Sequence, residues 1–203
     1  MISGVIFDMD NTLVYPTLDF DYISRGVKDF LISSGLPASE VENMSPLLES
    51  LRSLKATYPE LYEDAMRILI ERELERARSS VIPREVVDTL NILKSMGMRM
   101  AVITRNCREA TEIAMDGIKE YFMAIITRDD VERPKPHPEH ILKGVRAIGL
   151  SPQRCLCVGD YEFDIIAGRR AGCITVGINI EADYTISSIA ELPGIITEVN
   201  TKI

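Results

Sequence analysis

The sequence predicts an α/β fold, a parallel sheet with helices on both faces, into which an all-helical segment is inserted after the first strand. Three observations carry this. Short apolar runs that stop abruptly at a polar residue recur along the chain, stretches of helical periodicity separate them, and the stretch from about Pro16 to Ser80 holds helix signals without a strand-like run.

Gly4-Val5-Ile6-Phe7 mixes β-branched and aromatic residues and ends at Asp8, as a strand buried on both faces does. Met100-Ala101-Val102-Ile103 ends likewise at Thr104, and Cys155-Leu156-Cys157-Val158 at Gly159-Asp160. Met123-Ala124-Ile125-Ile126 and Ile174-Thr175-Val176-Gly177 complete the expected strands. Between them, Pro83 suits a first helical position, Val86, Leu90 and Leu93 follow at helical spacing, and Gly97 suits the left-handed residue past the end. Residues 138–149 and 162–171 repeat the pattern and close near Gly149 and Gly172. Strands alternating with helices imply right-handed crossovers and a parallel sheet.

Within the insertion, Ser39-Glu40-Val41-Glu42 fits a capping box, and Ser45-Pro46 offers an N-cap followed by proline at the first helical position. From Pro59 onward Tyr62, Met66, Ile70, Leu74 and Ala77 form an apolar stripe, read as helix packing, with Glu63, Arg67 and Glu71 at i,i+4 on another face. The expected organisation is a core of residues 1–15 and 81–203 with a helical insertion over 16–80.

The 203 residues, 46% apolar and 27% charged, suit an ordinary folded enzyme. A net charge of −8 without blocks of like charge argues against nucleic acid or an anionic membrane as partner. The N-terminus lacks the basic region of a signal peptide, and no apolar run approaches the roughly 18 residues of a membrane span. Cys107, Cys155, Cys157 and Cys173 lack metal-like spacing and read as reduced core residues, so a cytoplasmic protein is expected.

Ligands of a parallel α/β sheet bind beyond the carboxyl ends of its strands. Asp8, Thr104 and Asp160 stand at such ends, and Lys135 precedes the helix that begins near Pro138. Asp8 and Asp10 face the same way if the chain stays extended, and Asp160 and Asp164 share one side at i,i+4. Crowded carboxylates need a cation, and hard oxygen ligands suit Mg²⁺. Such an ion draws a phosphate oxygen toward an anionic nucleophile, while Lys135 and the Thr104 hydroxyl and amide suit the phosphoryl oxygens.

The segment Gly4-Val5-Ile6-Phe7-Asp8-Met9-Asp10-Asn11-Thr12-Leu13 resembles the first motif of the haloacid-dehalogenase-like (HAD) hydrolase superfamily. Val102-Ile103-Thr104, Arg133-Pro134-Lys135-Pro136-His137-Pro138 and Val158-Gly159-Asp160-Tyr161-Glu162-Phe163-Asp164 resemble its other motifs in order. Ala182–Ile186 and Ser188–Leu192 resemble the C-terminal strand and helix of phosphoglycolate-phosphatase-like members, and the insertion resembles their α-helical cap. The resemblance implies a Rossmann-like core and a Mg²⁺-dependent phosphatase acting on a small-molecule phosphate ester, phosphoglycolate-like or a sugar phosphate. It implies Asp8 as nucleophile, forming an aspartyl phosphate, and Asp10 as general acid and then base. It further implies Mg²⁺ on Asp8, the Asp10 carbonyl, Asp160 and Asp164, and phosphate on Thr104 and Lys135.

The chain departs from the family pattern where Arg105 separates Thr104 from Asn106, which are counted with Arg105 among the substrate-binding residues. Arg105 reads either as a contact to a second anionic group on the substrate or as a solvated surface arginine. His137 and His140 read as structural or solvated. The alternatives are a phosphotransferase or phosphomutase on the same scaffold, and a non-catalytic Mg²⁺- and phosphate-binding regulatory protein. The four retained acids, with no Ser-Arg signature in the insertion, favour hydrolysis.

Overall fold

A computed structural model describes residues 1–202. In chain order these form β1 (Gly4–Phe7), β2 (Tyr15–Pro16), α1 (Phe20–Ser33), α2 (Ala38–Glu42), α3 (Leu47–Leu54), α4 (Pro59–Arg78), β3 (Ser80–Val81), α5 (Arg84–Ser95) and β4 (Arg99–Ile103). There follow α6 (Arg108–Ala114), β5 (Ala124–Ile126), α7 (Pro138–Ala147), β6 (Cys155–Gly159), α8 (Glu162–Ala171), β7 (Ile174–Ile178), β8 (Tyr184–Ile186) and α9 (Leu192–Lys202). Two compact units result, Met1–Pro16 with the chain from Ser80 onward, and Thr17–Ser79.

The first unit is built on a six-stranded parallel sheet of order β5-β4-β1-β6-β7-β8. Alternate side chains leave opposite faces of each strand. On one face Ile6, Ala101, Ile103, Cys155 and Cys157 pack with Ile141 and Val145 of α7 and Ala167 and Ala171 of α8. Val5, Phe7, Met100, Val102, Leu156 and Val158 are equally buried on the other. Burying such a side chain contributes roughly 1.5–3 kcal/mol, so β1 is fixed from both sides. Gly97, Gly149 and Gly172 take positive φ (72°, 67° and 85°) beyond α5, α7 and α8, as their placement in the sequence predicts. All four cysteines are free and buried.

The second unit is helical, with Ile23, Val27 and Leu31 of α1, Val41 of α2, Leu47, Leu48 and Leu51 of α3, and Ala65 and Leu69 of α4 in one core. Tyr22 Oη donates to Glu75 Oε2 (2.6 Å), and Arg72 bonds to both, joining α1 to α4. Several local expectations are corrected. α2 begins at Ala38 after Pro37, without a side-chain cap, so the Ser39 capping box does not form. Pro46 and Pro83 stand one position before the helices they open. Ala77 is buried as the predicted stripe has it and Met66 packs against the core, while the other most buried positions of α4, Ala65, Leu69, Glu73 and Arg76, lie one residue before the stripe. Arg67 pairs with Asp64 at i,i+3 (2.6 Å) instead of with Glu63 and Glu71. Tyr15–Pro16 and Ser80–Val81 form a two-stranded antiparallel ribbon where the sequence offered no strand signal.

Candidate active site

β1 runs between β4 and β6 with Phe7 level with both Val102 and Val158. All three strands therefore release their chains at one edge, delivering Asp8, Thr104 and Asp160 together. Each loop there is held by its own hydrogen bonds. The Asp8 amide donates to Val158 O (2.8 Å), and the Thr104 amide to Ile126 O at the end of β5 (3.0 Å).

Lys135 is buried at the centre of this edge. Its ammonium donates to Asp8 Oδ1 (2.5 Å), Asp164 Oδ1 (2.5 Å) and Ile103 O (3.2 Å), which uses all three of its hydrogens. Asp8, Asp160 and Asp164 each turn an oxygen into a cluster within 4.8 Å. Burial works against the Lys135 charge, but Asp164 and Asp8 outweigh it and hold its pKa above the ordinary lysine value. Burial, and then the Asp8 charge, push Asp164 up to about 7 against the pull of Lys135. The same two causes raise Asp160. A buried carboxylate, Asp164, and a partly buried one, Asp8, compete here for one ammonium, which is the electrostatic setting of a cation site.

Asp160 and Asp164 project to one side, as their i,i+4 spacing predicts, although Asp160 precedes α8, which starts at Glu162. Asp164 folds back over the helix start, where its Oδ2 accepts from the Tyr161 amide (3.1 Å). Gly159 makes room for this. A Cβ there would lie 2.3 Å from Asp164 Oδ2.

Asp10 also differs from the extended arrangement. The chain turns at once, with the Leu13 and Val14 amides donating to Met9 O (2.8 and 3.0 Å), and Asn11 takes the left-handed φ of 55°. The Asp10 carboxylate is not among the three that converge, and its Oδ2 accepts from Asn106 Nδ2 (2.8 Å). Asn106 therefore contacts the expected acid–base residue, and its amide donates to Thr104 Oγ1 (3.2 Å).

Arg105 is half-buried and its guanidinium lies 5.0 Å from the Phe163 ring centroid, so it is not a freely solvated arginine. Phe163 meets Tyr161 edge-on at 5.0 Å. Arg128, itself buried, holds this loop from below, donating from Nη1 to Arg105 O (3.0 Å) and from its amide to Asn106 O (3.3 Å). His137 caps α7, accepting from the Glu139 amide (3.1 Å), and His140 is fully buried. Gly159 and Arg128 were not marked by sequence patterning. Adjacency to Asp160 is the signal for Gly159, whereas a buried arginine has no local signature. Among the described residues no helix is long and apolar enough to cross a membrane.

The family model described as haloacid dehalogenase-like hydrolase matches residues 5–178. The pyrophosphatase PpaX of Bacillus cereus (strain AH820) is 27% identical, with 98% of each chain covered. A predicted phosphoglycolate phosphatase from Haemophilus somnus 129pt superposes with a TM-score of 0.72 at 22% identity, over 96% of this chain and 98% of that one. A β-phosphoglucomutase from Clostridium difficile superposes with a TM-score of 0.73 at 19% identity, over 100% and 99%. At these identities the superpositions show a shared fold.

Proposed function

Because this chain belongs to the haloacid dehalogenase-like hydrolase family, we propose that it is a phosphatase of small phosphorylated metabolites that works through a phosphoryl group carried on Asp8. The observation that carries this reading is the Asp8 carboxylate, 2.5 Å from the buried Lys135 ammonium at the end of the central strand. An ammonium at that distance screens the nucleophile from the incoming phosphate, so two anions can approach.

In the first step an Asp8 oxygen attacks phosphorus, the bond from phosphorus to the leaving oxygen breaks, and protonated Asp10 gives that oxygen its proton. In the second, ionised Asp10 takes a proton from water as the water oxygen attacks phosphorus. The bond to Asp8 breaks and orthophosphate leaves. The Asn106 amide, donating to Asp10 Oδ2, orients the carboxyl that transfers the proton. Thr104, with its hydroxyl oriented by the Asn106 amide, donates to the phosphoryl oxygens, and Lys135, whose three hydrogens go to Asp8, Asp164 and Ile103 O, holds the phosphoryl group by its charge.

Mg²⁺ fits the donor set. Three carboxylates facing one ammonium leave two negative charges uncompensated, and every side-chain donor is a hard oxygen. Asp8, Asp160 and Asp164, with the Asp10 carbonyl, would hold the ion. It would supply positive charge to draw the phosphate against the nucleophile.

The substrate class is small phosphate esters, phosphoglycolate-like or sugar phosphates, and the relatives named pyrophosphatase extend it to inorganic pyrophosphate. Arg105, steadied on Phe163, is proposed to meet a second anionic group of the substrate. Orthophosphate release from a panel of such compounds, with Mg²⁺ and with EDTA, tests the reading. Release from at least one member, abolished by EDTA, is expected; no release from any member contradicts it.

A further inference from the structure

His140 lies outside the reacting groups, yet its two ring nitrogens join the two residues assigned to hold phosphate. Nδ1 accepts from the Lys135 amide (3.3 Å), and Nε2 donates to Ile126 O (3.2 Å). Ile126 O also accepts from the Thr104 amide (3.0 Å). Lys135 Nζ in turn donates to Ile103 O, the carbonyl of the residue before Thr104 (3.2 Å). The contacts form a closed ring that runs from Thr104 to Ile126, His140, Lys135, Ile103 and back to Thr104. Two loops from different strands are locked at one spacing by one imidazole.

We propose that His140 is a positioning residue that sets the spacing between Lys135 and Thr104, and through it the affinity of the site for the phosphoryl group. It acts through the Lys135 main chain and touches neither substrate nor nucleophile. The ring requires the neutral tautomer with hydrogen on Nε2, since Nδ1 must accept while Nε2 donates. Burial, and next the Lys135 charge, push the His140 pKa down to about 3, so this form persists across the pH range in which a phosphatase works. An imidazole suits the task better than an aliphatic residue because it offers an acceptor and a donor on opposite edges of one rigid ring. A leucine side chain in its place would leave the Lys135 amide and one lone pair of Ile126 O without partners in the interior.

The proposal rests on the phosphate-binding roles given above to Lys135 and Thr104, so its test separates the two. Orthophosphate affinity would be measured by calorimetry with Mg²⁺, alongside steady-state kinetics, for wild type, His140→Leu, His140→Asn, Lys135→Ala and the Lys135→Ala/His140→Leu double variant. Asn places an acceptor oxygen near the position of Nδ1 and keeps the bond to Lys135. The expected result is orthophosphate affinity and KM worsened about tenfold in His140→Leu and largely rescued in His140→Asn. In the Lys135→Ala background, His140→Leu should add nothing, because it acts through Lys135.

A structural role alone would lower Tm in both His140 variants and leave affinity and KM unchanged well below it. That outcome, or a full additive loss in the double variant, overturns the proposal. The ring ¹⁵N shifts of His140 give an independent reading. The Nε2–H tautomer supports the ring, and an Nδ1–H tautomer or a titration near the ordinary histidine pKa overturns it. A wild type that binds orthophosphate but hydrolyses no ester contradicts the phosphatase reading alone, since the affinities still decide the role of His140.

Discussion

Asn106 Nδ2 donates to Asp10 Oδ2 at 2.8 Å, a bond that ties the loop leaving β4 to the loop leaving β1. An amide donor on a carboxylate fixes the orientation of that carboxylate. Losing such a bond to a charged group costs about 1.5–3 kcal/mol. Asn106→Leu is therefore expected to lower kcat by about ten- to a hundredfold with little change in KM. Steady-state kinetics check this, and a raised KM with unchanged kcat would place Asn106 on the substrate instead.

Gly159 is predicted to be irreplaceable by alanine. The added methyl would stand 2.3 Å from Asp164 Oδ2 and 2.4 Å from Cγ, and would force that carboxylate off the cluster. Overpacking of this kind costs about 1–3 kcal/mol, and the displaced ligand should weaken Mg²⁺ binding as well. Thermal unfolding with and without Mg²⁺ is expected to show a lowered Tm and a lost Mg²⁺ response in Gly159→Ala. Gly194→Ala, where the methyl meets nothing within 4 Å, is the control and should keep both.

The depressed pKa of His140 makes a prediction about acid stability. Folded, the ring titrates near 3; unfolded, it returns to the ordinary value near 6.5. Above 6.5 both states are neutral and the ring contributes no pH dependence. Between about 6.5 and 3 only the unfolded chain takes up the proton, so this stability is lost as pH falls, at up to about 1.4 kcal/mol per pH unit. The stability advantage of wild type over His140→Asn should therefore shrink from pH 7 to pH 4.5. Denaturant melts at several pH values measure it, and a constant difference would mean that His140 titrates alike in the folded and unfolded chain.

The sheet and the site edge were legible because β1, β4 and β6 are each a short run buried on both faces that ends at a polar residue. Asp8, Thr104 and Asp160 sit at the ends those runs predict, and Lys135 arrives beside them from the loop before α7. What was not legible depends on where loops turn. The i,i+4 spacing of Asp160 and Asp164 implied that both project to one side, which they do, but not that Asp160 precedes the helix while Asp164 folds back over Gly159. The alternation of Asp8 and Asp10 promised parallel carboxylates, yet the turn at Met9–Val14 sends Asp10 to Asn106. The capping expectation at Ser39 failed for a related reason, since Pro37 opens α2 one turn-position earlier and leaves Ser39 inside the helix. The two-residue ribbon at Tyr15–Pro16 and Ser80–Val81 is too short to show any periodicity.

The Arg105 guanidinium lies over the Phe163 ring, 5.0 Å from its centroid, a cation–π contact that steadies the side chain. Arg105→Gln is expected to weaken kcat/KM for substrates with a second anionic group by about tenfold. Simple aryl phosphates, which lack such a group, should be affected less. Equal losses on both substrate types would assign Arg105 to the scissile phosphate or to the fold.

The covalent role of Asp8 is the claim on which the rest depends, and acid quenching of the protein during turnover, followed by peptide mass mapping, tests it most directly. The account predicts one phosphoryl group on the peptide containing Asp8, absent from Asp8→Asn, which should also fold normally and turn over no substrate. Undiminished turnover by Asp8→Asn, or a phosphoryl group trapped on another residue, would contradict it.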